Sequence, residues 1–141
     1  IIVTAGGKNI APQNIENLLK THSQYISQVV MHGDKRNYCV ALVTINEETV
    51  GKWADDEGIS YSDYADLSRK QQVHQLVWKD VEAVNKELAR YETIKKIHIL
   101  DHDFSIESGE LTPKMSIKRR VVERNYQDIL DAFYTGTIEK M

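Results

Sequence analysis

Only one cysteine, Cys39, occurs in the 141 residues, so an internal disulfide is excluded and a reducing compartment is implied. It stands in an apolar run, where a thiol is buried and inert rather than nucleophilic. No apolar stretch approaches the roughly 18 residues of a membrane-spanning helix, and nothing reads as a secretory signal. Cationic charge is not in excess either. The net charge of −3 excludes bulk nucleic-acid binding and confines any basic site to a local patch. Internal repeats, low-complexity segments, a Walker loop, a dinucleotide fingerprint and a Ser/His/Asp signature are all missing. The histidines, His22, His32, His74, His98 and His102, lack metal-ligand spacing; His98 and His102 are four apart, but in a strand-to-loop segment. No metal site is expected. An initiating methionine is absent too, and the opening Ile1-Ile2-Val3-Thr4 reads as a strand cut from a longer protein.

What is there is ordinary for a globular protein: 41% hydrophobic and 28% charged residues, enough for one domain with one core. Ile1 to Thr4 is β-branched and strand-like, Ala5-Gly6-Gly7-Lys8-Asn9 has turn chemistry, and Asn9 to Ala11 returns as a short strand. Pro12 suits the first position of a helix carrying Ile15, Leu18 and Leu19, which ends near Thr21 or His22. Two apolar runs, Ile26 to His32 and Tyr38 to Ile45, flank Gly33-Asp34-Lys35-Arg36-Asn37 and read as an antiparallel hairpin. A short helix covers Glu47 to Glu57 and stops at Gly58, and residues 59–70 read as loop with some helical turns. Val73, Val77, Val81, Val84 and Leu88 repeat at helical spacing. Ile94 to Leu100 is a further strand and Asp101 to Pro113 a loop. Val122, Tyr126, Ile129 and Phe133 mark a final amphipathic helix starting near Ser116. Hairpins mixed with helices predict an α+β fold: a small antiparallel or mixed sheet flanked by helices, preceded by a short N-terminal β-hairpin.

Two segments carry candidate chemistry. In Gly6-Gly7-Lys8 a glycine pair lets backbone approach a ligand and the lysine can meet a phosphate, although a plain hairpin turn explains the same residues. In Gly109-Glu110-Leu111-Thr112-Pro113-Lys114-Met115-Ser116-Ile117-Lys118-Arg119-Arg120, four cations fall within seven residues behind a Gly/Thr/Pro loop. Such a cluster at a helix mouth can grip phosphate or carboxylate, or form a solvated first turn. Cations there oppose the helix dipole at a cost of a few tenths of a kcal/mol each, which argues that they have a use. Asp101, Asp103, Glu107 and Glu110, before the basic stretch, read as a solvated acidic loop.

The order of these segments resembles the C-terminal domain of AMP-forming acyl-CoA synthetases, and the long-chain fatty-acid branch in particular. The resemblance is carried by Gly6-Gly7-Lys8-Asn9 with Pro12, Ile15 and Glu16, the strand pair around His32-Gly33-Asp34, the segment Glu87 to Lys96, and Ser108 to Pro113 with its basic tail. It implies that residues 1–141 are the small mobile C-terminal domain, without the large N-terminal domain that holds most of the ATP and acyl pockets. A long-chain fatty acid–CoA ligase activates a fatty acid with ATP to an acyl-adenylate, then forms the thioester with CoA. The implied cofactors are ATP, Mg2+ (held mainly by the large domain) and CoA. The implied partners are the fatty acid and the chain's own N-terminal domain, with no nucleic acid and at most peripheral membrane association, at a cytoplasmic location. Gly6, Gly7 and Lys8 match the hairpin that lines the passage for the CoA arm; Pro12 is explained as a helix start and Glu16 as a structural anchor. The catalytic lysine departs from the pattern. An ungapped match sets Ser116 where it is expected, leaving Lys114 from the loop, Lys118 after a local shift, or weak adenylation. The isolated chain is expected to be inactive. Another acyl substrate, an acyl-carrier-protein acceptor, or a non-catalytic anion-binding module are the alternative readings.

Overall fold

The computed structural model describes residues 1–135. The chain folds as two compact units, Ile1–Asp103 and the segment from Phe104 onward.

In the first unit, a two-stranded hairpin, β1 (Ile2–Val3) and β2 (Asn9–Ile10), leads into α1 (Pro12–His22). Pro12 begins α1, as its fixed φ allows. The main sheet has three strands in the order β3 (Ile26–His32), β4 (Cys39–Ile45), β5 (Ile94–Ile99). Strands β3 and β4 are antiparallel, with Val29 opposite Val43; β4 and β5 are parallel, with Ala41 opposite Ile97. The fold is therefore the expected α+β class with a mixed sheet. A parallel pair needs a crossover, supplied by α2 (Glu47–Asp56), α3 (Tyr64–Ser68) and α4 (Gln71–Asn85).

Strand β4 is buried along its whole length, which is why, Thr44 apart, it reads as an apolar run rather than an alternating one. Val73, Val77, Val81 and Val84 of α4 and Ile15 and Leu19 of α1 are buried in one core with Cys39, Ala41, Val43 and Ile45, one face of that strand. One amide of the edge strand β3 is met by a side chain from α1. Glu16, only 5% exposed, accepts a hydrogen bond from the Met31 amide at 2.7 Å, so its carboxylate anchors α1 to the sheet. Helix α4 ends at Asn85, short of Leu88. The Asn85 amide donates to the Ile94 carbonyl and accepts from the Ile94 N–H, both at 2.9 Å, and thereby fixes the start of β5. Cys39 is buried and free, and burial pushes its thiol up to about 11.

The second unit contains α5 (Arg119–Asn125) and α6 (Gln127–Thr135), with Leu111, Val122, Leu130 and Phe133 buried. One helix from Ser116 is expected; the structure has two, broken at Tyr126, and the first begins three residues later. The reason lies in residues 110–118, which form a hairpin rather than a helix start, with Leu111 bridged to Ile117. The Lys118 amide donates back to the Glu110 carbonyl at 2.8 Å, so helical geometry cannot begin before Lys118. Among the described residues no helix is long and apolar enough to cross a membrane.

Candidate functional site

Gly6, Gly7 and Lys8 sit on the β1–β2 turn. Thr4 closes that turn three times. Its N–H donates to the Lys8 carbonyl at 2.9 Å, its carbonyl accepts from Gly7 N–H at 2.9 Å, and its Oγ1 accepts from Lys8 N–H at 3.1 Å. The result is a three-residue loop, Ala5-Gly6-Gly7, whose last residue must be left-handed to turn the chain back. Gly7 has φ 84°. The hairpin is also fixed from outside: Ala5 N–H donates to Arg36, Lys35 N–H to Val3, and Val3 N–H to Asp34 Oδ1 at 3.0 Å.

The two glycines have different reasons to be glycine. Gly7 is required by its φ, and a Cβ there would meet nothing within 4 Å. Gly6 has no such φ, and a Cβ there would meet only Thr4 Oγ1, at 3.9 Å. Packing within this unit therefore does not demand a glycine at 6. Lys8 extends outward, with its Nζ 5.5 Å from the centroid of the Tyr91 ring, a cation–π distance.

The basic stretch repeats the same turn. Thr112 N–H donates to the Ser116 carbonyl at 2.8 Å, the Thr112 carbonyl accepts from Met115 N–H at 2.8 Å, and Thr112 Oγ1 accepts from Ser116 N–H at 3.1 Å. The loop is Pro113-Lys114-Met115. Proline suits its first position, and Met115 takes the left-handed place with φ 66°. The two hairpins therefore match position by position: Thr4 with Thr112, Gly6 with Lys114, Gly7 with Met115, Lys8 with Ser116. At the apex one turn has no side chain and the other has a lysine. A methionine in the left-handed region costs of order 1 kcal/mol, so hydrogen bonding rather than propensity holds this turn.

In the sequence Lys114 groups with Lys118, Arg119 and Arg120 at an expected helix mouth. The structure separates them. Lys114 is exposed at the hairpin tip and makes no ion pair among the described residues. Lys118 is at the hairpin base, immediately before α5. The base is held by Glu110, 1% exposed, which accepts from Ser108 Oγ at 2.8 Å and from the Tyr126 hydroxyl. Glu110 is therefore not part of a solvated acidic loop. Its carboxylate ties the hairpin to the junction of α5 and α6 at Tyr126, a role that its sequence position beside charged neighbours concealed.

The other acids of that loop take separate roles. Asp101 is held below its ordinary value, first by its hydrogen bond from His102 and then by the charges of His102 and Arg69. Asp103 accepts from Ser27 Oγ at 2.6 Å. Among the described residues no group of three His, Cys, Asp or Glu side chains could hold a metal ion.

A model of the AMP-binding enzyme C-terminal domain matches residues 1–137. A long-chain-fatty-acid–CoA ligase of Mycobacterium tuberculosis is 36% identical over 135 residues, covering 95% of this chain and 22% of that protein. Another, from Gallus gallus, is 34% identical over 152 residues, covering 95% of this chain and 20% of that protein. The chain thus spans about a fifth of the length of these relatives. Among solved structures, the adenylation domain of a carboxylate reductase from Mycobacterium chelonae superposes with a TM-score of 0.74 at 23% identity, covering 95% of this chain and 19% of that one. That likeness establishes the fold alone. On the family match over nearly its whole length, this chain belongs to the AMP-binding enzyme C-terminal domain family.

Proposed function

We propose that this chain is the mobile C-terminal domain of a long-chain fatty acid–CoA ligase, acting with a large N-terminal domain that binds ATP and the fatty acid. Its two matched hairpins serve the two half-reactions. Lys114, on the tip of the basic hairpin, enters the adenylation site, where its ammonium meets the charge that builds as carboxylate attacks the α-phosphate of ATP. A preorganised cation in that position supplies on the order of 10²–10³ in rate. Mg2+, when bound by the large domain, shares that phosphate charge. Gly6, on the tip of the other hairpin, lines the passage for the thiol arm of CoA, with Gly7 and Lys8 beside it. Rotation of the domain exchanges one tip for the other. Lys118, fixed at the hairpin base, is the second choice for the cation. Without the large domain the chain is inactive.

The observation that carries this reading is the shared turn. Equal backbone geometry presents a lysine at one apex and, at the other, a glycine that its own unit does not require. In the full-length ligase, Lys114→Ala is expected to slow acyl-adenylate formation about 10²-fold or more and to leave thioester formation from pre-made adenylate nearly unchanged. Single-turnover measurement of each half-reaction decides the matter. Equal loss in both, or no loss in the first, rejects the assignment, and loss with Lys118→Ala instead transfers the role to Lys118.

A further inference from the structure

Met115 combines two features that its own unit does not explain. Its backbone is left-handed, with φ 66°, and it is 56% exposed. Of the exposed large apolar residues among the described ones, it alone also holds such a backbone. The other non-glycine residue at positive φ among them is Lys35, whose charged side chain belongs in water. A thioether side chain does not. The turn does not require a methionine either. Its bonds run from Met115 N–H to the Thr112 carbonyl, from Thr112 N–H to the Ser116 carbonyl and from Ser116 N–H to Thr112 Oγ1. A glycine at 115 would keep all three, and in the matched hairpin the equivalent place is held by Gly7. The backbone cost of a side chain here and the exposure of its apolar surface are therefore not offset within the unit. Retained strain of this kind clusters where a side chain serves a site.

Lys114 directly precedes it. Pro113 fixes φ on one side of Lys114, and the hydrogen bond from Met115 to Thr112 holds the other. The two apex residues therefore move as one piece, and a surface that seats Met115 sets where the Lys114 ammonium stops. We infer that Met115 is a positioning residue for adenylation. Its side chain docks into an apolar recess of the large N-terminal domain, and the hairpin is thereby held at the depth where Lys114 meets the reacting carboxylate and phosphate. This rests on the ligase reading above and deepens it by assigning a second residue of the tip. A lysine stem is long and flexible, so its cation is well placed only when the backbone beneath it is held. The unbranched methionine side chain adapts to an irregular apolar surface, and docking removes that side chain from water. In thioester formation the glycine hairpin is in use and Met115 plays no part.

The test uses Met115→Gly, Met115→Leu, Met115→Gln and the double variant Met115→Gly, Lys114→Ala in the full-length ligase. Single-turnover adenylation should slow about ten-fold in Met115→Gly, the loss expected when a half-exposed methionine no longer finds apolar cover. The ATP concentration giving half the maximal rate should not change. Met115→Leu keeps an apolar side chain of similar volume and should keep the rate. Met115→Gln keeps the length without the apolarity and should be as slow as Met115→Gly. Thioester formation from pre-made adenylate should be unaffected in all three single variants. Because Met115 acts through Lys114, Met115→Gly should add little once Lys114 is alanine. Urea unfolding of the chain separates positioning from folding: Met115→Gly should be no less stable, since glycine accepts the left-handed turn. A full adenylation rate in Met115→Gly, a Gln variant as fast as the Leu variant, additive losses in the double variant, or a marked loss of stability in Met115→Gly overturns the inference. The ligase reading is decided separately by Lys114→Ala. Slow adenylation in that variant with a full rate in Met115→Gly removes the positioning role and leaves the ligase reading standing.

Discussion

Replacing the two adjacent glycines one at a time separates what the first hairpin needs for folding from what it presents outward. Gly7 has φ 84°, and a Cβ there meets no atom within 4 Å. The cost of Gly7→Ala is therefore conformational and not steric, about 1–2 kcal/mol for an L-residue held left-handed. For a chain of this length that corresponds to a fall in Tm of roughly 3–8 °C. Gly6→Ala carries no such cost, and its Cβ comes no closer than 3.9 Å to Thr4 Oγ1. Its effect on stability is expected between neutral and a gain of about 0.4–1 kcal/mol from reduced unfolded-state entropy. Thermal and urea unfolding of the chain, followed by circular dichroism, read both changes. The hairpin unfolds with the rest of its unit because Ile2 and Ile10 are buried in the common core, so its destabilisation registers globally. On the proposed ligase reading, the functional arm uses Gly6→Leu in the full-length protein, where the thioester step should slow while adenylation continues. Equal destabilisation by the two alanine variants, or an unchanged thioester rate in Gly6→Leu, refutes the division of roles between the glycines.

Gly33→Ala tests a different constraint. A Cβ there would lie 2.7 Å from Cys39 Sγ and 3.2 Å from Cys39 Cα, so overpacking should cost about 1–3 kcal/mol. Adding Cys39→Ala should recover only part of the loss, because the backbone contact stays; a neutral urea midpoint for Gly33→Ala contradicts the close approach. Acid should also weaken the first unit. Burial holds His74 below its ordinary 6.5, against a backbone hydrogen bond with Ile97. Burial does the same to His98, reinforced by His74 and opposed by Asp101. Below pH 6.5 the unfolded chain binds protons that the folded chain refuses, so stability should fall as pH drops through that value toward the lowered folded pKa values. The double variant His74→Gln, His98→Gln should flatten that slope in urea titrations, and an unchanged slope rejects the two imidazoles as its source.

Much of the fold was legible because it depends on local patterning. The helix of Pro12–His22, the strands Ile26–His32 and Ile94–Ile99 and the valine stripe of α4 follow from periodicity and from Pro and Gly punctuation. Legibility failed where a side chain or a distant backbone group took over. Leu88 fits the stripe of α4, but Asn85 turns its amide onto Ile94 and ends the helix. Ser116 and Ile117 precede an amphipathic pattern, but Thr112 and Glu110 hold them in a hairpin. Glu110 was concealed because a charged residue among charged residues gives no sign of burial.

By itself the sequence determined the α+β class, the two glycine- and lysine-bearing segments and the family. Those are carried by residue types at short spacings, and short-range sterics and turn chemistry act on short spacings. Only the tertiary structure decided that β4 pairs in parallel with β5, that Lys114 stands apart from the other three cations, and that Lys8 reaches the Tyr91 ring. Each of these joins or separates residues through hydrogen bonds and contacts set by the whole unit, and neither a period nor a composition records them. The likeness of the two turns lies between the two cases. Thr4 and Thr112 are plain in the sequence, but only backbone geometry shows a methionine in the place of a glycine and a lysine at the apex opposite an empty one.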